Sequence, residues 1–209
     1  MPPKPQLVIF LRAPQRGAAK RRLAKEIGAE EAHAFYAGLS RDMVRRLSGS
    51  RRWRLVLAVT PDRLAARARF WPASIPRLPQ GRGDLGHRMG GLLASLPPGP
   101  VVIVGADIPG LRASHIEQAF ATLRRKEAVF GPAADGGYWL IGLARRRLPP
   151  RALAMRLFRG VRWSSADALD DTLANLPEGT CGPPLARLED VDDAVSWRRA
   201  RESADPAKF

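Results

Sequence analysis

Two aspartates in matching settings make the first chemical suggestion. Asp107 follows the run Val101-Val102-Ile103-Val104-Gly105-Ala106 and precedes Ile108-Pro109-Gly110-Leu111. Asp135 follows a second apolar run into Gly131-Pro132-Ala133-Ala134 and precedes Gly136-Gly137-Tyr138. Each acid ends a strand candidate, where a stiff run of β-branched residues holds a carboxylate at a fixed height above a sheet. Pro109 ends the first strand and sets its turn. Gly105, Gly136 and Gly137 let backbone approach a ligand with no Cβ in between. Carboxylates so placed suit a hard divalent cation, Mg²⁺ or Mn²⁺, which commonly bridges one or two carboxylates to phosphate oxygens. The alternative is that each Asp only caps the element after it. Two such acids in consecutive units favour the ligand reading, because ligands bind beyond the carboxyl ends of strands in open α/β sheets.

The elements that must position these acids follow from hydrophobic periodicity. Residues 7–11 read as a first buried strand, 55–60 as a second, and a short one falls around 75–78 in a proline-broken stretch. Apolar residues Ala32, Phe35, Leu39, Met43 and Leu47 recur at spacings of three and four, one face of a long helix over 29–47. Gly49 and Ser50 stop it, and Thr60-Pro61-Asp62 starts a short helix. Further helices are predicted from 85 or 87 to about 96, over 114–126 and over 165–176, the last with Ser164 or Ser165 as N-cap. Residues 185–188 read as a last short strand, and Glu189-Asp190-Val191-Asp192-Asp193 as the capping start of a terminal helix. The fold expected is one three-layer α/β domain over residues 1–209 with a mostly parallel, mixed sheet. Residues 164–209 complete that domain.

Between the first strand and the first helix runs Arg12-Ala13-Pro14-Gln15-Arg16-Gly17-Ala18-Ala19-Lys20-Arg21-Arg22, with the helix expected to start near Ala18. Arg16, Lys20 and Arg22 crowd that loop and the first helical turn. Cations there oppose the helix dipole, which suits a bound phosphate; the alternative is a solvated basic loop. The loop matches neither the G-x-x-x-x-G-K-[ST] phosphate loop nor G-x-G-x-x-G. Asp84, before the helix that opens at 85 or 87, reads equally as its N-cap and as a ligand. Trp163 reads as closing the core rather than stacking on a substrate.

Composition narrows the class. The chain has 209 residues, 45% of them hydrophobic, enough for one sizeable core. Its one cysteine, Cys181, excludes an intrachain disulfide and a cysteine-cluster zinc site. Residues 7–11 are too short an apolar run for a signal peptide, and no stretch approaches membrane-spanning length, so the expectation is a cytoplasmic protein with no membrane span. Thirty-five Lys and Arg against 20 Asp and Glu give a net charge of +15. The arginines are spread along the chain with no stacking aromatics interleaved, which is not the footprint of a nucleic-acid partner.

Three segments together resemble the nucleotide-diphospho-sugar transferase superfamily: Gly105-Ala106-Asp107-Ile108-Pro109-Gly110-Leu111, Gly131-Pro132-Ala133-Ala134-Asp135-Gly136-Gly137-Tyr138 and Gly83-Asp84-Leu85-Gly86-His87-Arg88-Met89. The chain most resembles a bacterial domain-of-unknown-function group assigned to arsenosugar-biosynthesis-type glycosyltransferases, and 2-phospholactate guanylyltransferases share the fold. The resemblance implies a nucleoside diphosphate sugar or a nucleoside triphosphate bound with Mg²⁺ or Mn²⁺, and an acceptor the sequence does not name. It implies a phosphate loop in which Lys20 follows Gly17 by three positions, and a nucleotide pocket built partly by the segment with Gly83 and Arg88. It also implies that an acid of the 189–193 segment approaches the metal. The candidate set is then Asp107, Asp135 and Asp192 for the metal, with Asp135 also the candidate general base. Arg12, Gly17, Lys20, Gly83, Arg88, Gly105, Gly136 and Gly137 are the candidates for nucleotide and phosphate. Glycosyl transfer leads; nucleotidyl transfer is the alternative, because Gly105 stands where many sugar transferases of this fold carry the first acid of D-x-D. A non-catalytic nucleic-acid or anion-binding protein is a third reading, favoured by charge alone.

Overall fold

The computed structural model describes residues 4–17, 20–67, 69–146 and 150–202. In chain order the elements are β1 (Gln6–Arg12), α1 (Arg21–Ile27), α2 (Ala29–Ser48), β2 (Arg54–Thr60), a 3-10 turn (Asp62–Leu64), β3 (Arg77–Pro79), α3 (Leu85–Ser95) and β4 (Val101–Gly105). They continue with α4 (Ala113–Thr122), β5 (Ala128–Pro132), β6 (Tyr138–Leu143), α5 (Pro150–Leu157), α6 (Ala168–Ala174) and α7 (Ala194–Glu202). The strands form one six-stranded sheet in the order β3-β2-β1-β4-β6-β5. β1, β2, β3 and β4 are parallel, while β6 runs antiparallel to both β4 and β5. This is the predicted α/β architecture with a mostly parallel, mixed sheet.

Both faces of the sheet are covered, which is why β1, β2 and β4 read as unbroken apolar runs. Leu7, Ile9 and Leu11 point to the layer holding Met43 and Leu47 of α2 and Ile116 of α4. The alternate residues Val8, Val56 and Ile103 point to the layer holding Met89 and Leu93 of α3 and Leu157 of α5. The chain adds β2 and β3 on one side of β1 and then returns to β4 on the other. The strand order therefore reverses between β1 and β4, and a crevice opens beyond their carboxyl ends. Asp107 lies just past β4 and Arg12 ends β1, so both stand at that crevice.

Four predicted elements differ in extent. The first helix begins at Arg21, after Lys20 in a left-handed conformation (φ 52°, ψ 49°), rather than near Ala18, which lies outside the described residues. α4 ends at Thr122; its predicted last turn, 124–126, is a set of tight turns in which the Lys126 N–H still donates to the Thr122 carbonyl at 3.0 Å. α6 begins at Ala168 because the preceding turn is closed by Ser165, whose Oγ accepts from the Asp167 N–H at 3.2 Å and donates to the Arg162 carbonyl at 2.7 Å. Residues 185–188 form a strap along β5 rather than a strand: Leu185 and Leu188 donate to the Phe130 and Pro132 carbonyls, and a single bridge joins Ala133 to Leu188. The preceding Pro183 and Pro184 have no N–H to extend the ladder. Of the basic and proline turn expected after Leu143, Arg147 and Pro149 lie outside the described residues, as do residues 203–209 of the predicted C-terminal completion.

Candidate functional site: an acidic cluster in a basic cleft

A cleft of about 480 Å³ occupies the crevice beyond β1 and β4. Its lining includes Arg12, Lys20, Arg21, Arg22, Tyr36, Gln80, Gly105, Asp107 and Asp192. The β1 end is closed by Tyr36 of α2, whose hydroxyl accepts from the Arg12 N–H at 2.9 Å and donates to the Arg12 carbonyl at 3.0 Å. Burial first, then the Asp107 charge, raises the Tyr36 phenol above its ordinary value, so it stays a neutral hydroxyl. Gln80, just past β3, spends both amide hydrogens on the Leu11 and Ala58 carbonyls at 3.1 and 2.9 Å. The cleft floor is thus tied strand to strand.

The chemistry enters on three segments. Asp107 comes from the end of β4. Asp190 and Asp192 come from the strap after 185–188, which the Val191 N–H pins to the Asp107 carbonyl at 3.2 Å. Val191 is itself buried among Leu23, Ala32, Phe35 and Leu39 of α1 and α2. An extended chain alternates its side chains, so burying Val191 sends both flanking acids the other way, toward Asp107. One carboxylate oxygen from each of Asp107, Asp190 and Asp192 lies within 4.8 Å of the others. Lys20 reaches the cluster from the start of α1: its Nζ donates to Asp107 Oδ2 at 3.0 Å and to Asp192 Oδ1 at 2.5 Å.

The electrostatics is unbalanced. Burial by itself would lower the Lys20 ammonium, but the Asp107 and Asp192 carboxylates outweigh it and hold the pKa above the ordinary value. One ammonium faces three acids. The Asp190 carboxyl, half-buried, is pushed up to about 6 by burial first and then by Asp107 and Asp192. Three converging carboxylate oxygens fit a hard divalent cation. In the same cleft lining, the guanidinium groups of Arg12, Arg21 and Arg22 have no hydrogen-bond or ion-pair partner among the described residues. Converging acids and unengaged cations share one cleft.

The structure brings Arg12, Lys20, Gly105, Asp107 and Asp192 of the predicted set into one cleft. Gly17 is exposed in the loop after β1 and is not among the residues lining the cleft. Asp135 stands in the β5–β6 turn, at the same end of the sheet, but is not one of the three converging acids; its Oδ1 accepts from the Gly137 N–H at 3.0 Å. Gly136 is required by packing: its φ is 87°, and a Cβ would collide with the Ala166 backbone. Gly83 and Arg88 sit at the start of α3 outside the cleft lining, with Arg88 Nε turned onto the Gly83 carbonyl at 2.9 Å. Asp84 caps α3 by accepting from the His87 N–H at 2.8 Å, and Trp163 packs on Phe158, Tyr138 and Gly86. Asp190, Arg21, Tyr36 and Gln80 were not singled out from the sequence. The alternation Asp190-Val191-Asp192, acid–apolar–acid before a helix, is the signal that could have found the first.

A second cavity, of about 270 Å³, opens at the other end of the sheet between Leu143, Leu153, Leu157 and Leu176, rimmed by Arg145, Arg146 and Arg156. No three acids converge there among the described residues.

The six-stranded, mostly parallel mixed sheet is similar in fold to several solved structures. A provisionally named nucleotide-diphospho-sugar transferase from Desulfovibrio desulfuricans G20 is similar over 98% of this chain and 90% of its own, with 25% identity and a TM-score of 0.83. The manganese complex of Rv0371c from Mycobacterium tuberculosis H37Rv is similar over 97% and 100%, with 18% identity and a TM-score of 0.59. A 4-diphosphocytidyl-2C-methyl-D-erythritol synthase from Anaerococcus prevotii DSM 20548 is similar over 95% of each chain, with 11% identity and a TM-score of 0.60. The chain belongs to the family described as uncharacterized protein conserved in bacteria (DUF2064), which matches residues 43–165. No curated protein matches it.

Proposed function

We propose that the protein is a metal-dependent transferase using a nucleotide-activated donor, and that it transfers a glycosyl group from a nucleoside diphosphate sugar. The observation that carries this reading is the convergence of Asp107, Asp190 and Asp192 within 4.8 Å, in a cleft also lined by Arg12, Arg21 and Arg22. A metal–diphosphate complex needs both: carboxylate oxygens for the cation, and charged N–H donors for the phosphate oxygens the cation leaves uncovered. Asp107, Asp190 and Asp192 would hold Mg²⁺ or Mn²⁺, which would supply Lewis-acid stabilisation of the leaving diphosphate. Arg12 and Lys20 bind the phosphates and hold charge-assisted hydrogen bonds to them as negative charge develops. Asp135, whose charge is felt at Asp190, takes the acceptor's proton. The likeness to the Desulfovibrio protein supports the class, and the manganese complex of the mycobacterial protein supports the metal. Within the class, the arsenosugar-biosynthesis-type group is the assignment the sequence motifs favour. Residues 1–209 are proposed as one domain. A cytoplasmic location is proposed with it; among the described residues no helix is long and apolar enough to cross a membrane.

One observation favours nucleotidyl transfer as the second reading. Gly105 stands where the resemblance places the first acid of D-x-D, and a Cβ there would come within 2.9 Å of Asp107 Oδ1, so the site is built without that acid. Product analysis separates the two. With Mn²⁺ and a panel of nucleotide sugars, the glycosyl reading expects nucleoside diphosphate to be released. Pyrophosphate from a nucleoside triphosphate, with every nucleotide sugar left intact, overturns it in favour of nucleotidyl transfer.

A further inference from the structure

The Lys20 ammonium stands where a cation held by the acidic cluster would compete with it. Its Nζ is bonded to Asp107 and Asp192, two of the three converging acids, and its side chain is only 7% exposed. Metal–oxygen distances for Mg²⁺ are about 2.0–2.1 Å, so a cation on the same carboxylates would face the ammonium across little more than one oxygen atom. Two positive centres that close, in a partly desolvated site, repel strongly. One must give way.

Among the described residues, the backbone on either side of the contact is held by hydrogen bonds. Lys20 is held at φ 52° before α1, with its carbonyl accepting from the Ala24 N–H at 2.8 Å. The Ala194 N–H, at the start of α7, donates to Glu26 of α1 at 2.9 Å, and the Val191 N–H donates to the Asp107 carbonyl. The segments bearing the acids and the lysine are therefore tied to one another. The four-bond lysine stem can turn, and Arg12, Arg21 and Arg22 line the same cleft, so phosphate oxygens bound there would replace the carboxylates it leaves.

We propose that Lys20 is a resident counter-ion that keeps Asp107 and Asp192 closed to a free divalent cation, and that it turns to phosphate only when metal and nucleotide arrive together. The proposal rests on the metal-dependent nucleotide reading above. It assigns the lysine two opposite effects: it opposes bare metal and favours the metal–phosphate complex. A lysine that only binds phosphate, or only neutralises acids permanently, has one of these effects and not the other.

Titration of Mn²⁺, followed by the electron paramagnetic resonance signal of the free ion, tests this on the intact chain without and with inorganic pyrophosphate. The variants are Lys20→Met, Lys20→Gly and, as a charge control outside the cleft, the exposed Lys25→Met. Glycine is unstrained at a positive φ, so Lys20→Gly removes the ammonium without a folding cost at that backbone. Without pyrophosphate, both Lys20 variants are expected to bind Mn²⁺ at least about tenfold more tightly than wild type, and Lys25→Met to stay within about twofold. Pyrophosphate should tighten Mn²⁺ in wild type by about tenfold or more and in the Lys20 variants far less. Equal bare-metal affinity in wild type and Lys20 variants, with pyrophosphate-dependent binding intact, overturns the counter-ion role and leaves the metal site standing. An equal gain in Lys25→Met reduces the effect to overall charge and also overturns it. No Mn²⁺ binding in any variant, with or without pyrophosphate, overturns this proposal and the metal site together.

Discussion

Asp107 and Asp135 stand at the same end of one sheet, each just past a strand and beside glycine, yet they meet different surroundings. Asp107 follows a strand with parallel β1 on one side and antiparallel β6 on the other, at the point where the strand order reverses. There Lys20 and Asp192, 172 residues apart in sequence, both reach it. Asp135 lies in the turn of an antiparallel pair and spends a carboxylate oxygen on the N–H two residues later. The glycines differ in the same way. Gly105 faces the cleft, whereas Gly136 is glycine because the Ala166 backbone leaves no room for a Cβ. Local pattern sets where an acid stands; partners remote in sequence decide whether it gathers a cation.

That contrast breaks most visibly under charge removal. Asp107→Asn should weaken Mn²⁺-dependent nucleotide binding by about a hundredfold or more, since even supporting partners of metal ligands are worth about 10–100-fold. Asp135→Asn should leave binding within about twofold but slow turnover about 10²–10⁴-fold, the usual share of a general base. Calorimetry and steady-state rates on both variants check it; equal losses of binding would make the two acids equivalent after all.

A smaller effect separates the two lysines of α1 and its cap. With Mn²⁺ saturating, Lys20→Ala should cost nucleotide binding about 1.5–3 kcal/mol, the worth of a charge-assisted bond. The exposed Lys25→Ala should cost about 0–1 kcal/mol. Similar losses would point to a general field rather than a contact.

The acids of the strap predict a pH window. Asp190 must be ionised to ligate, and its carboxyl is pushed up to about 6 by burial and then by Asp107 and Asp192. Metal affinity should therefore be full above that pH and fall as pH drops through it, by about tenfold per unit for one competing proton. The metal-free fold responds with the opposite sign. A raised carboxyl pKa means the folded state holds the proton longer than the unfolded chain, so stability should rise slightly as pH falls from about 6 toward the ordinary carboxylate range. Asp190→Asn should flatten both curves in a Mn²⁺ titration and a thermal-melt series. The smallest effect falls on Asp84, the acid that stays outside the cluster. Asp84→Ala should cost about 1 kcal/mol of stability as a lost N-cap and leave Mn²⁺-dependent binding unchanged, read by denaturant melts beside calorimetry.

Much of the frame was legible because its signals are local. The unbroken apolar runs of β1 and β4 and the Ala32–Phe35–Leu39–Met43–Leu47 stripe of α2 each specify a buried surface on their own, and Asp107 is legible because β4 ends just before it. Asp190 was not, since an acid cluster before a helix satisfies a capping rule; only the burial of Val191 and its bond to Asp107 reveal where Asp190 points. Arg88 is a phosphate candidate through the resemblance of its segment, and its Nε donates to the Gly83 carbonyl at the head of α3. The left-handed backbone of Lys20 has no sequence signal either, because residues other than glycine rarely adopt it.

The central claim is that the Asp107–Asp190–Asp192 cluster and the basic cleft together bind a metal–diphosphate unit. Calorimetric titration of UDP, GDP, ADP and CDP, each with and without Mn²⁺, tests it directly. The account predicts that at least one nucleoside diphosphate binds with Mn²⁺ far more tightly than without it, and that Asp107→Asn abolishes the difference. Binding that is the same with and without Mn²⁺ for every nucleotide, or no binding at all, would contradict it.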